Sequence, residues 1–192
     1  MAEAPQAVPQ GDAILHPPAH VDAAGLGWRA LIKPSLIVTA ALIVLADQAT
    51  KALVAAALPL YESVTIVPGF LDFTHVRNTG AAFGLLNSAD LPMKWPLMVG
   101  VALVAIVAIG AYGATLRANE NVARWGLALV LGGAIGNLID RARLGYVLDF
   151  VDVYSGNWHF WAFNVADAAI TAGAILVIFD LLGLRRNASH TV

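Results

Sequence analysis

The chain has 192 residues; 59% are hydrophobic before its 17 glycines are counted, and only 12% are charged. Soluble proteins average roughly 45–50% apolar with glycine included and about 25% charged. Together with a mean hydropathy of +0.72, this excludes an ordinary soluble domain or a disordered chain and implies several membrane spans. A net charge of −2 without a continuous basic run argues against a nucleic-acid surface, and the absence of cysteine excludes disulfides, thiol catalysis and cysteine-based metal sites.

Residues 1–33 read as a flexible extension, rich in Ala and Pro and without a periodic apolar face. Its basic residues, Arg29 and Lys33, come too late for a signal peptide. The domain proper is expected over 34–184, with a short tail at 185–192. A first helix is expected from Pro34 to about Leu53, with proline suited to its first turn. Then Ser63–Val67 and Phe70–Val76, β-branched and aromatic, flank the turn dipeptide Pro68-Gly69 and read as short strands. A small helix or turn is expected around Ala81–Leu86.

Trp95–Leu116 carries no charge over 22 residues, about 33 Å as helix and enough for a bilayer core. A third helix is expected from Ala123 to about Arg141. Tyr146–Tyr154 alternates partly, and Ser155-Gly156-Asn157 turns the chain into Trp158–Trp161. The fourth helix is expected from about Phe163 to Leu184. The fold class is therefore an all-α polytopic membrane protein: four transmembrane helices with a small β-containing cradle from insertions at about 54–94 and 142–162.

Basic residues Arg29, Lys33, Arg117, Arg124, Arg185 and Arg186 fall on one side, which the positive-inside tendency makes cytoplasmic, together with both termini. Helix 1 then runs outward and ends with Asp47 and Lys51, and helix 3 runs outward and ends with Asn137, Asp140 and Arg141. Helix 4 runs inward from Asn164 and Asp167. These groups converge at the outer end, while Asp180 alone lies at the other. A buried charge costs several kcal/mol or forces neutralisation, so the clustering points to a site.

Asp149 and Asp167 are the favoured catalytic pair. They are eighteen residues apart, so only a chain reversal after helix 3 brings them together. Two adjacent carboxylates share a proton and titrate as a unit. The ionised one takes a proton from water while the protonated one donates to a carbonyl oxygen, as in aspartic proteases, with neither metal nor cofactor. The competing reading has Asp149 facing solvent in a loop and Asp167 capping helix 4. Asp140 and Arg141 suit ion pairs locking helices 3 and 4, and Asp47 with Lys51 suits an i,i+4 pair. Gly132-x-x-x-Gly136 offers a small-residue packing face.

Other chemistries fit less well. No H-E-x-x-H or G-x-S-x-G occurs, and a serine arrangement of Ser155, His159 and Asp152 lacks an evident oxyanion hole. A small transporter is the non-enzyme rival, but the polar groups collect at one end and trace no route across the bilayer.

Five blocks in order resemble the bacterial lipoprotein signal peptidase (signal peptidase II, prolipoprotein signal peptidase) family. They are Asp47-Gln48-x-x-Lys51, Asn78-Thr79-Gly80-Ala81-Ala82-Phe83, Gly132 to Arg141, Val147-Leu148-Asp149-Phe150 and Phe163-Asn164-x-Ala166-Asp167. The resemblance implies an inner-membrane endopeptidase that removes the signal peptide from diacylglyceryl-modified prolipoproteins before the lipidated cysteine. It places Asp149 and Asp167 on the catalytic aspartates. Asn78, Gly80, Asn137, Arg141 and Asn164 fall on residues lining the site, with Asp47, Lys51 and Asp140 supporting it. Prolipoproteins and membrane lipids are the implied partners, globomycin the implied inhibitor, and a monomer the expected state. Two departures stand near helix 4: Trp161 replaces the family's usual proline, freeing an N–H and loosening the local bend, and Ala168 replaces a frequent serine.

Overall fold

A computed structural model describes residues 34–80, 93–116 and 120–183. The expected extension, the turn around 81–86 and the tail lie outside the described residues. In chain order the elements are α1 (Pro34–Ala57), β1 (Ser63–Val67), β2 (Leu71–Asn78), α2 (Lys94–Thr115), α3 (Asn121–Leu144), β3 (Val147–Ser155), β4 (Trp158–His159) and α4 (Val165–Leu181). Among the described residues three helices, α1, α2 and α3, are long and apolar enough to cross a membrane. α4 has 17 residues, a length of about 26 Å.

α3 is the hub, packing most extensively on α4, then on α1, then on α2. Glycines on α3 make this approach possible. A Cβ on Gly132 would stand 2.9 Å from Ala40 O of α1, one on Gly136 would stand 2.7 Å from Asp47 Oδ2, and one on Gly133 would collide with Ala166 O of α4. The small-residue stripe therefore serves two interfaces, with Gly132 and Gly136 toward α1 and Gly133 toward α4. The outer faces are apolar and open, with Leu53 68%, Val104 69%, Val107 71% and Ile175 58% exposed. Such a surface on α1, α2 and α4 is stable only when lipid is the solvent.

The strands form one antiparallel series in the order β1-β2-β3-β4, with a bulge in β1/β2 between Thr65 and Val67 and another in β2/β3 between Phe73 and Val76. The first four residues of β3, Val147 to Phe150, are all buried, so the expected partial alternation fails there. The reason is coverage on both faces. Leu148 and Phe150 pack with Val54 of α1, joined by Leu58, Phe73, Val151 and Val165. That cluster also explains why α1 continues to Ala57 rather than ending near Leu53. Gly145, with φ 80°, ends α3 in the left-handed conformation and returns its N–H to Arg141 O, turning the chain into β3. α4 begins two residues later than expected, because Phe163 forms a β-bridge with Val151 and Asn164 is the N-cap.

Candidate active site

The site is built where α1, α3, β3 and the start of α4 meet. Asn164 sits at the centre, fully buried. As N-cap of α4 its Oδ1 accepts from Asp167 N at 2.9 Å, and its backbone N–H donates back to Asp167 Oδ2 at 3.3 Å, a complete capping box. Its amide nitrogen donates to Asp149 Oδ1 at 2.7 Å, to Leu148 O at 3.3 Å and to Asn137 Oδ1 at 3.2 Å. One asparagine thus holds both carboxylates. The eighteen-residue separation is closed by the reversal at Gly145 and the return through β3.

Each oxygen of the pair receives a donor. Asp149 Oδ2 accepts from Asn78 Nδ2 at 2.9 Å, and Asp167 Oδ1 accepts from Asn137 Nδ2 at 2.8 Å. Asp149 is 2% exposed, so the solvent-facing alternative for it is wrong. Its backbone lies in β3, opposite Val76, within the first four residues of the strand, which are all buried. The capping alternative for Asp167 is right, yet capping engages only Oδ2 and leaves the carboxylate beside Asp149. Burial, and then the charge of Asp167, push the Asp149 carboxyl up to about 7, against the lowering effect of the Asn78 and Asn164 bonds and of Lys51.

Behind this pair lies a buried ionic knot. Lys51, 4% exposed, has three ammonium protons for three acceptors: Asp47 Oδ2 at 2.8 Å, Asp140 Oδ2 at 2.9 Å and Asn137 Oδ1 at 3.0 Å. Asp47 also accepts Ala166 N at 3.0 Å, fastening α1 to the first turn of α4, and Asp140 accepts Leu148 N at 3.2 Å, beside Asp149. The expectation that Asp140 and Arg141 lock α3 to α4 through ion pairs is corrected here. Asp140 pairs with α1, because Lys51 points into the α1–α3 seam that Gly136 leaves open. The Arg141 bonds go to the carbonyls of Gly80 at 3.1 Å and Asn137 at 3.4 Å. Gly80 in turn donates its N–H to Asn78 Oδ1 at 2.9 Å.

Gln48 was not among the expected site residues. Its Nε2 reaches Asp140 Oδ1 at 2.9 Å, Gly136 O at 3.2 Å and Asp47 Oδ2 at 3.2 Å. Its place beside Asp47 in the first sequence block was the available signal. Trp95 was also missed; its Nε1 donates to Arg141 O at 2.6 Å and ties α2 to the site. In the rival serine arrangement, His159 Nδ1 does meet Asp152 Oδ2 at 2.8 Å, but among the described residues no hydrogen bond joins Ser155 to His159.

The pattern of the signal peptidase (SPase) II family matches residues 39–183. The chain belongs to the signal peptidase II family. It is 46% identical over 153 residues to the lipoprotein signal peptidase of Geobacter metallireducens, covering 80% of this chain and 93% of that one. Against the lipoprotein signal peptidase of Desulforapulum autotrophicum identity is 44% over 159 residues, covering 82% and 96%. Among solved structures, a bacterial membrane enzyme determined in meso at 2.3 Å superposes with a TM-score of 0.69 at 31% identity, covering 84% of this chain and 95% of that one. Membership makes this family member a membrane-embedded protease. The matched span runs from α1 to the end of α4 and so contains every residue of the polar cluster.

Proposed function

We propose that the protein is an intramembrane aspartic endopeptidase that removes the signal peptide from diacylglyceryl-modified prolipoproteins, cutting before the lipidated cysteine. The observation that carries this reading is the shared grip of Asn164 on the buried carboxyl of Asp149 and the half-buried one of Asp167 at a bundle end. A raised Asp149 makes that side chain the proton holder near neutrality.

The chemistry follows from the pair. The ionised Asp167 takes a proton from a water whose oxygen attacks the scissile carbonyl carbon, while protonated Asp149 donates to the carbonyl oxygen. The resulting gem-diol collapses as Asp167 passes its proton to the departing nitrogen and Asp149 recovers one from the diol. One proton has been relayed and the dyad is restored. Asn78, Asn137 and Asn164 fix the carboxylates, Arg141 and Gly80 form the adjoining wall, and the knot of Asp47, Lys51 and Asp140 supports them. The acyl chains and the signal segment of the substrate stay in the bilayer, so the reacting bond is orientated by two membrane anchors.

In this reading α4 also spans the membrane, both termini are cytoplasmic, and the site faces the periplasm at the inner membrane of a bacterium. The modest basic bias and the convergence of polar groups at one end support that orientation. Globomycin is the expected inhibitor, and a monomer the expected state. The test is cleavage of a lipidated prolipoprotein by purified protein, beside its unlipidated form and the variants Asp149→Asn and Asp167→Asn. Equal cleavage of both substrates, or activity in both variants, refutes the proposal.

A further inference from the structure

Of the three long helices α2 is the least buried. Over its 22 residues only Met98 and Gly113 are shut away, and its main neighbour is α3. Its first turn nevertheless reaches the proposed site twice. Lys94 Nζ donates to Thr79 Oγ1 at 3.0 Å, and Trp95 Nε1 donates to Arg141 O at 2.6 Å. These contacts flank the bond from Arg141 Nη2 to Gly80 O at 3.1 Å. Consecutive residues of one helix thus hold both sides of that wall, Thr79 leading into Gly80 and Arg141 being the donor. Arg141 O also accepts from Gly145 N at 3.1 Å, and the indole lies against the same turn, with a Cβ on Gly145 3.8 Å from Trp95 Cδ1.

Trp95 is 49% exposed. A neutral hydrogen bond in so open a place adds little to folding, yet it restrains the main chain of an arginine in the wall of the site. Among the described residues the Arg141 guanidinium spends two of its five N–H donors, on Gly80 O and Asn137 O. We propose that Trp95 is a positioning residue for Arg141: its N–H fixes that main chain so that the remaining guanidinium donors meet a backbone carbonyl of the prolipoprotein. Asp149 and Asp167 are held by Asn78, Asn137 and Asn164, none of which bonds to Trp95. The effect therefore falls on the hold on substrate and not on the chemical step. The inference rests on the reading of those two aspartates as the catalytic pair.

The test compares full-length wild type, Trp95→Phe and Asp149→Asn, purified in detergent, for KM and kcat on a lipidated prolipoprotein. Phenylalanine keeps a ring against the turn and removes the N–H. Trp95→Phe is expected to raise KM about fivefold, the worth of one hydrogen bond, with kcat within about twofold. Thermal unfolding should fall by no more than a few degrees, since Gly145 N still caps Arg141 O. In an Arg141→Gln background the same change should leave KM unaltered, because the guanidinium it positions is gone. Should Arg141→Gln fail to fold, the split between KM and kcat in Trp95→Phe decides alone. An unchanged KM in Trp95→Phe, while the wild type cleaves and Asp149→Asn does not, overturns this inference and leaves the aspartic reading standing. No cleavage by the wild type, or full cleavage by Asp149→Asn, removes both. A fall in kcat at constant KM assigns Trp95 to holding β3 and also overturns the inference. So does an undiminished KM rise in the Arg141→Gln background, or a rise seen in bilayer nanodiscs but not in micelles, which marks a lipid anchor.

Discussion

Lys51 Nζ stands 3.0 Å from Asn137 Oδ1, and Asn137 Nδ2 stands 2.8 Å from Asp167 Oδ1. An ammonium only donates, so the amide oxygen must face α1, and the amide nitrogen is left to face the carboxylate on α4. A charge buried at the foot of the site thereby sets which way the asparagine beside Asp167 is turned.

Removing that charge is expected to be costly twice over. Lys51→Met leaves Asp47 and Asp140 buried without their cation, a loss of about 3–5 kcal/mol for breaking a buried pair. It also frees Asn137 to flip. Thermal unfolding in detergent should show a large drop, and cleavage should fall in whatever fraction remains folded. Unchanged stability would mean that the knot is solvated and not structural.

Asp149→Asn and Asp167→Asn should each leave a folded protein whose cleavage is reduced about 10²–10⁴-fold, the range for losing a positioned acid or base. The asparagines keep the shape of the carboxylates, so a near-normal melting temperature is expected beside the activity loss. Cleavage assays and unfolding on the same preparations separate the two effects.

The raised Asp149 carboxyl predicts the pH response. With the folded-state value at about 7 against 3.8 for the unfolded chain, its stabilising contribution is fully present below about 3.8 and is lost as pH rises through about 7. Asp149→Asn should lack this limb, so the wild-type minus variant stability should decline between pH 4 and 8. Cleavage by the wild type should fall on the alkaline side of about 7 as the shared proton leaves. A kcat/KM profile flat to pH 9 contradicts this.

Gly133→Val should push α3 and α4 apart, because a Cβ at 133 collides with Ala166 O. Overpacking costs about 1–3 kcal/mol. Since Asp167 follows Ala166 by one residue, activity should fall more than stability does. Asp180→Asn is the control, at the far end of α4, and should stay within about 0.5 kcal/mol of the wild type with normal cleavage.

How much was legible depended on the range of the interaction. The strand Ser63–Val67 matches the expectation, and α2 lies within one residue of it, because alternation, turn residues and uncharged runs are local signals. The end of α1 was placed early because Val54 gains its partners, Leu148 and Phe150, from β3. The assignment of Asp140 to α3–α4 bracing failed for the same reason, since spacing along one helix does not say which neighbouring helix brings the cation.

By itself the sequence determined that the chain is a membrane protein, and it pointed to Asp149 and Asp167 as the carboxyls to compare, because hydrophobic run length and the ordered blocks are written along the chain. The tertiary structure alone decided that Asn164 joins Asp149 to Asp167, that Lys51 serves two acids and an amide, and that Gln48 and Trp95 belong to the surroundings of the site. Hydrogen bonds between residues some fifteen to ninety positions apart depend on how closely the helix axes approach, and that closeness follows from which glycine faces which backbone.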